Sequence, residues 1–159
     1  MSTTSGTISF RSEASLELIK ATSNELLGKV DEDKRTFAFR VLLRSFEGFN
    51  SGLQQIHFNE NYLETDQFPE ASFSGKIIEP VDFNKNGKST IRAKGILKIH
   101  GVEQERIIKC DLTIQGNQVH IESTFTVQLS DHNIRIPRVV HEKIATEIII
   151  NVKADLSRR

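Results

Sequence analysis

Tryptophan is missing from this sequence, and tyrosine, cysteine and methionine each occur once. With Cys110 as the lone cysteine, no intrachain disulfide can form, and the fold must be held by its core. Neither charge is in excess: Lys plus Arg and Asp plus Glu both number 21. That balance leaves no basic face for a phosphate backbone, so nucleic acid is not an expected partner. No run approaches the roughly 18 apolar residues of a membrane-spanning helix, and stable membrane insertion is not expected. The opening MSTTSGTISF lacks the basic and apolar regions of an export signal. Polar residues of this kind also follow a removed leader, and residues 1–6 are read as a flexible tail.

Catalytic signatures are equally scarce. There is no Gly-x-Ser-x-Gly elbow and no phosphate-cradling glycine loop. His57, His100, His120, His132 and His141 contain no i, i+4 pair of the kind that holds zinc on a helix. Glu60 and Glu64 share a helical face and read as solvated carboxylates, and His100 and His120 read as solvated strand residues. Cys110, in phase with an inward face, reads as a small buried apolar residue. Enzymatic activity, a cofactor and a metal are therefore not expected.

Alternation is what the chain does have. At 159 residues it suffices for one domain, 1–159, with its own core. Strands are expected over residues 7–12, 16–23, 26–30, 36–44, 71–79, 90–101, 105–115, 118–130 and 144–154, with a break at Ser23-Asn24 dividing the second and third of these. The clearest puts Phe37, Phe39, Val41 and Leu43 on one face and continues into Phe46 and Phe49. Later strands turn Ile91, Ala93, Leu97 and Ile99, and then Val119, Ile121, Phe125 and Val127, inward. Gly95 interrupts an inward face, where a barrel wall bends.

The period changes once, between Gln54 and Gly75. Ile56, Phe58, Tyr62 and Leu63 fit one face of a short helix that Phe68-Pro69 ends, a candidate plug or lid. The pattern predicts an all-β fold: an eight-stranded antiparallel lipocalin-like barrel with one short helix inserted between strands. Such a barrel is either filled by its own side chains or hollow enough for one small ligand, and strand count does not separate the two.

Three segments carry a family resemblance: HFNENYLETDQFP from His57, ASFSGKI after Phe68-Pro69, and GILKIHGVEQE from Gly95 to Glu105. The last is similar to a Gly-x-Leu-Thr-Ile-x-Gly-Val-x-Lys signature, with Lys98 in place of the threonine. The chain resembles the YceI-like family of bacterial lipocalin-like barrels from Gly6 to about Asp155. It departs at residues 129–137, where LSDHNIRIP replaces an Asp-Arg-x-x-Phe-Gly pattern. The resemblance implies a non-catalytic barrel that stores or transports a polyisoprenoid, an isoprenoid quinone or a similar long-chain lipid. It also implies a periplasmic or secreted location after leader removal, with the cytoplasm as the alternative, and allows a homodimer.

On that reading, Phe39, Val41, Leu43, Phe73, Leu97, Ile99, Phe125 and Val127 form the wall of the pocket. Phe46, Phe49, Ile56, Phe58 and Tyr62 stand at its helix-bearing end. Arg106, in phase with an inward face, is the candidate donor to a headgroup. The competing expectation is a filled barrel acting as a structural or protein-interaction module.

Overall fold

The computed structural model describes residues 1–158. Its strands are β1 (Ser2–Glu13), β2 (Leu18–Asp31), β3 (Thr36–Leu42), β4 (Glu70–Ile77), β5 (Gly87–Ile99), β6 (Val102–Gln115), β7 (Gln118–Gln128) and β8 (Glu147–Ser157). They pair antiparallel in chain order, and β1 closes the ring on β8, with Ile8 opposite Val152 and Phe10 opposite Ile150. The predicted barrel class is the observed one, and closure leaves no sheet edge running the length of the molecule.

Two-residue turns join β5 to β6 and β6 to β7. His100 and Gly101 both have positive φ, 55° and 70°, as a two-residue hairpin of the favoured hand requires. Within the wall, Gly75 of β4 faces Gly95 of β5. A Cβ on Gly75 would lie 2.0 Å from the Lys94 carbonyl oxygen, and one on Gly95 would lie 2.2 Å from that of Ser74, so only glycine permits this approach.

Several boundaries differ from the sequence reading. The expected tail at residues 1–6 is the start of β1, and the Met1 amine donates to the Val30 carbonyl at 3.1 Å. Backbone pairing with β2 and β8 makes this polar stretch a strand, whatever its side chains. The break at Ser23-Asn24 is an irregularity inside a continuous β2, facing a register shift between Gly6 and Ile8. The fully buried Ser23 hydroxyl meets the Ser45 hydroxyl at 2.6 Å and accepts from the Glu25 amide.

β3 stops at Leu42 and passes into a 3₁₀ turn, Leu43–Ser45. β7 likewise gives way to a 3₁₀ turn at Leu129–His132. β8 begins and ends three residues later than expected, because the β7–β8 connection keeps residues 144–146 outside the sheet.

The inserted helix is α1 (Gly52–His57), capped by the Ser51 side chain, which accepts from the Gln54 amide at 3.1 Å. It widens into a π turn, Phe58–Tyr62, closed by the Leu63 amide on the Phe58 carbonyl at 3.0 Å. The helical stretch therefore ends at Leu63, ahead of Phe68-Pro69. Glu64 follows with φ of 49°.

Two apolar clusters gather the buried inward side chains. One, at the end away from the helix, gathers Phe37, Ile77, Phe83, Ile91, Leu112, Ile114, Val119, Ile121 and Leu156. The other, under the helix, gathers Ala21, Leu26, Val41, Leu43, Phe46, Leu63 and Ile134.

Candidate ligand cavity

Between the two clusters the barrel is hollow. A cavity of about 280 Å³ runs from Ile91, Leu112 and Ile121, low in the wall, to Phe58, Tyr62 and Ile144 at the helix-bearing end. Alternation in β3, β5 and β7 places Phe39, Val41, Leu97, Ile99, Phe125 and Val127 on its wall, with Phe73 from β4. Leu43, Phe46, Phe49, Phe58 and Tyr62 complete it at the helix end. Twelve of the fourteen residues singled out from sequence thus meet one another around one space.

Two do not lie on that wall. Ile56 is 49 % exposed on α1, because its α-helical position and the wider π turn after it do not keep it in phase with Phe58 and Tyr62. Arg106 occupies an inward-phase position, but β6 and β7 pair only from Asp111 and Glu122 to the Gln115–Gln118 turn. Above that point the two strands diverge. The guanidinium is drawn sideways, where Nη2 donates to the unpaired Thr126 carbonyl at 2.8 Å and the head lies 5.8 Å from the centre of the Phe125 ring. Ser123 Oγ bridges the same seam to the Lys109 carbonyl at 2.6 Å.

Sequence reasoning passed over the contribution of the ring-closing strands. Ile8 and Phe10 of β1, Ile19 and Leu26 of β2, and Ile148, Ile150 and Val152 of β8 all line the space. Their alternation was the available signal. Phe10 stacks on Phe58 at 5.3 Å, and Phe49 meets the same ring at 5.1 Å, so an aromatic group roofs the cavity beneath the helix.

The wall is almost without polarity. Its one charged residue, Arg40, directs its guanidinium to Glu70, 3.7 Å away, with both side chains substantially exposed. Ser12 Oγ is occupied by the Ala145 amide at 2.8 Å. Burial pushes the Cys110 thiol up to about 12, so it stays protonated, and what surface it retains faces the cavity. Burial also raises the Tyr62 phenol. Among the described residues, no three His, Cys, Asp or Glu side chains converge in a way that could hold a metal ion.

His100 departs from its expected solvated role. The β5–β6 turn tucks it inward, only 9 % exposed, where Nδ1 donates to the His132 carbonyl at 2.9 Å and Nε2 meets Glu64 Oε1 at 2.8 Å. The Phe68 ring packs edge-on against it at 4.8 Å. His132, buried in turn, donates from Nδ1 to the Val102 carbonyl at 3.0 Å. These bonds pin the segment after the helix to the barrel rim, and Glu64 is thereby a structural partner of His100. The assembled site can enclose an apolar chain, and burial keeps the thiol and phenol on its wall protonated.

Comparison with known proteins follows this geometry. The family described as YceI-like domain matches residues 1–156. A polyisoprenoid binding domain from Saccharophagus degradans, implicated in plant cell wall breakdown, superposes with a TM-score of 0.81 at 12 % identity, covering 97 % of this chain and 94 % of that one. Burkholderia cenocepacia BcnA superposes at 0.78 and 14 % identity, over 96 % of each chain. The Campylobacter jejuni YCEI protein gives 0.63 at 12 % identity, over 85 % of this chain and 81 % of that one. No curated protein sequence matches the chain at a significant level.

Proposed function

The chain belongs to the YceI-like family, whose barrels bind rather than catalyse, and from that premise we propose that it carries a long-chain isoprenoid lipid in its cavity. The observation that supports this reading is the hollow itself: about 280 Å³ lined mainly by aliphatic and aromatic side chains, with Ser12 bonded to the Ala145 amide and Arg40 turned to Glu70. A filled structural module has no use for such a space, since each side chain facing it forgoes packing contacts.

A carboxylate or phosphate carried into this wall would lose its hydration with nothing to replace it. The ligand is accordingly hydrocarbon along its buried length, and its polar head stays at the helix-bearing end near Gln54 and Tyr62. Each five-carbon isoprene unit offers roughly 4 kcal/mol gross at about 0.8 kcal/mol per buried carbon. Ordering the chain consumes much of that gain, so affinity levels off as chains lengthen and discrimination by length is weak.

Native mass spectrometry of the protein purified without detergent, with an organic extract of the same sample, tests the proposal. A bound mass matching a prenyl lipid is expected, either as isolated or after incubation with a prenol. A protein that stays empty after that incubation would overturn it. The same spectra report whether the chain pairs with itself, and fractionation of the native cells distinguishes the periplasmic or secreted location proposed for the carrier from the cytoplasm.

A further inference from the structure

Six of the nine exposed large apolar side chains, Leu16, Leu18, Leu42, Leu53, Ile56 and Val139, gather at the helix-bearing end. At the opposite end only Ile78 is comparable, at 36 % exposure. Three of the six stand on separate segments tied to one another. The Leu16 amide, in the β1–β2 turn, donates to the Glu142 carbonyl of the β7–β8 connection at 2.8 Å. Asn50, just before α1, donates from Nδ2 to the Leu18 carbonyl at 3.0 Å. Leu16, Leu53 and Val139 are thus 67 %, 62 % and 90 % exposed on one arc of the rim. The same three regions send Ile19, Phe49 and Ile144 to the cavity wall, so apolar surface runs from the outside of this arc into the hollow.

Charge is distributed to match. Arg135, Arg138 and Lys143 flank Val139, are exposed, and form no ion pair among the described residues. Within residues 135–143 they outnumber the one carboxylate, Glu142. The other carboxylates of this end stand on other segments: Glu17 in the β1–β2 turn, Glu47 beside Thr22 of β2, Glu60 in the π turn and Asp131 after β7, while Glu64 is bound to His100 and Asp66 pairs with Arg44. α1 itself carries no acidic or lysine or arginine side chain. Aliphatic tips flanked by free cations suit the boundary between headgroups and acyl chains of an anionic bilayer.

We propose that this arc docks the barrel on an anionic membrane surface, tilted toward its β1, β2 and β8 side, so that a lipid chain passes between bilayer and cavity without crossing water. The proposal rests on the lipid-carrying reading for its cargo, and on the arc alone for the contact. A protein partner or a second copy seated here would cover the same apolar route.

Flotation of the full-length chain with phosphatidylcholine vesicles, with and without added phosphatidylglycerol, tests it. Binding is expected to the anionic vesicles, to weaken with added salt, and to fall about tenfold on Val139→Asp or Leu53→Asp. Ile107→Asp, at an aliphatic 55 % exposed on the outer barrel wall, should leave it unchanged, and circular dichroism verifies that each variant folds. Prenol uptake from cyclodextrin, measured on the unaltered chain, separates the two readings. Uptake without binding to either vesicle would overturn the docking proposal alone. Vesicle binding without uptake would remove the isoprenoid cargo and leave the contact standing. An equal loss with Ile107→Asp, or a dimer that Val139→Asp dissolves while vesicles go unbound, would also overturn it.

Discussion

At the end away from the helix, Phe83, Ile114, Val119 and Leu156 pack together off the cavity, each 6 % exposed or less. At the helix-bearing end Phe10, Phe49, Phe58 and Tyr62, residues of the same character, face a cavity. Composition does not separate the two ends; the connections do. Two of the links at the helix end, residues 43–69 and 129–146, are long enough to rise above the strands and roof a space, whereas at the other end residues 78–86 send Phe83 into the core and β6 and β7 are joined through Gly116-Asn117 alone. Where a turn is short or a connection folds inward, inward side chains meet. Where connections stand off, the same alternation leaves a hollow, at the cost of contacts the lining residues would otherwise make.

The largest test of that contrast is a pair of truncations. Leu156→Ala should lose about 2–5 kcal/mol in chemical denaturation, the range for a close-packed leucine. Phe58→Ala should cost less than the ~3–5 kcal/mol of a close-packed phenylalanine, since one side of that ring already lacks neighbours, yet should weaken prenol binding. Equal costs at the two sites would erase the distinction between the ends.

Placing a charge on the cavity wall sharpens it further. Phe125→Asp should reduce prenol binding by more than ~100-fold while the β spectrum persists, because the seam beside it gives the carboxylate access to water in the empty barrel and none when a chain is bound. Titration with a fluorescent prenol, read beside circular dichroism, reports both; undiminished binding would take Phe125 off the ligand's path.

A smaller effect is expected at the rim. His100→Ala strips partners from Glu64 and from the His132 carbonyl, and a lost buried hydrogen bond of this kind costs about 1–3 kcal/mol. Hydrogen exchange should quicken across residues 58–65 and stay unchanged in β3; uniform quickening would mean that the rim and the wall open together.

The smallest lies on the outer wall, near the end away from the helix. His120 meets Glu122 and Asp155, and hydrogen bonds to both carboxylates raise its pKa above the ordinary value. A group with a raised folded pKa adds stability that is complete below the unfolded value, near pH 6.5, and disappears as pH rises through the folded one. All three side chains are well exposed, so the effect belongs to the ~0.2–1 kcal/mol of screened surface pairs. Asp155→Asn should flatten the pH dependence of the melting temperature between pH 6 and 8; an unchanged slope would place its origin elsewhere.

How far the sequence announces this structure depends on where each residue's partners come from. Phe39, Val41, Leu97, Phe125 and Val127 declare themselves because strand alternation is local, and a barrel turns each inward set toward one axis. Arg106 has the same phase and still leaves the wall, since its course depends on how far β6 and β7 stay paired, which neither strand encodes by itself. His100 looks solvated from its strand and is buried by Phe68 and Glu64, more than thirty residues earlier in the chain. Residues 2–6 carry no apolar pattern and become strand only because β2 and β8 supply backbone partners on both sides.

Those last pairings impose an order in time. β1 is made first and needs β8 for its second row of hydrogen bonds, so Ile8 waits for Val152. A nascent or truncated chain that stops before Glu147 leaves β1 and β7 as open edges, free to recruit strands from other chains. Contacts so distant along the chain also slow folding. The final 11-residue strand is thus the step that turns an adhesive sheet into a sealed vessel.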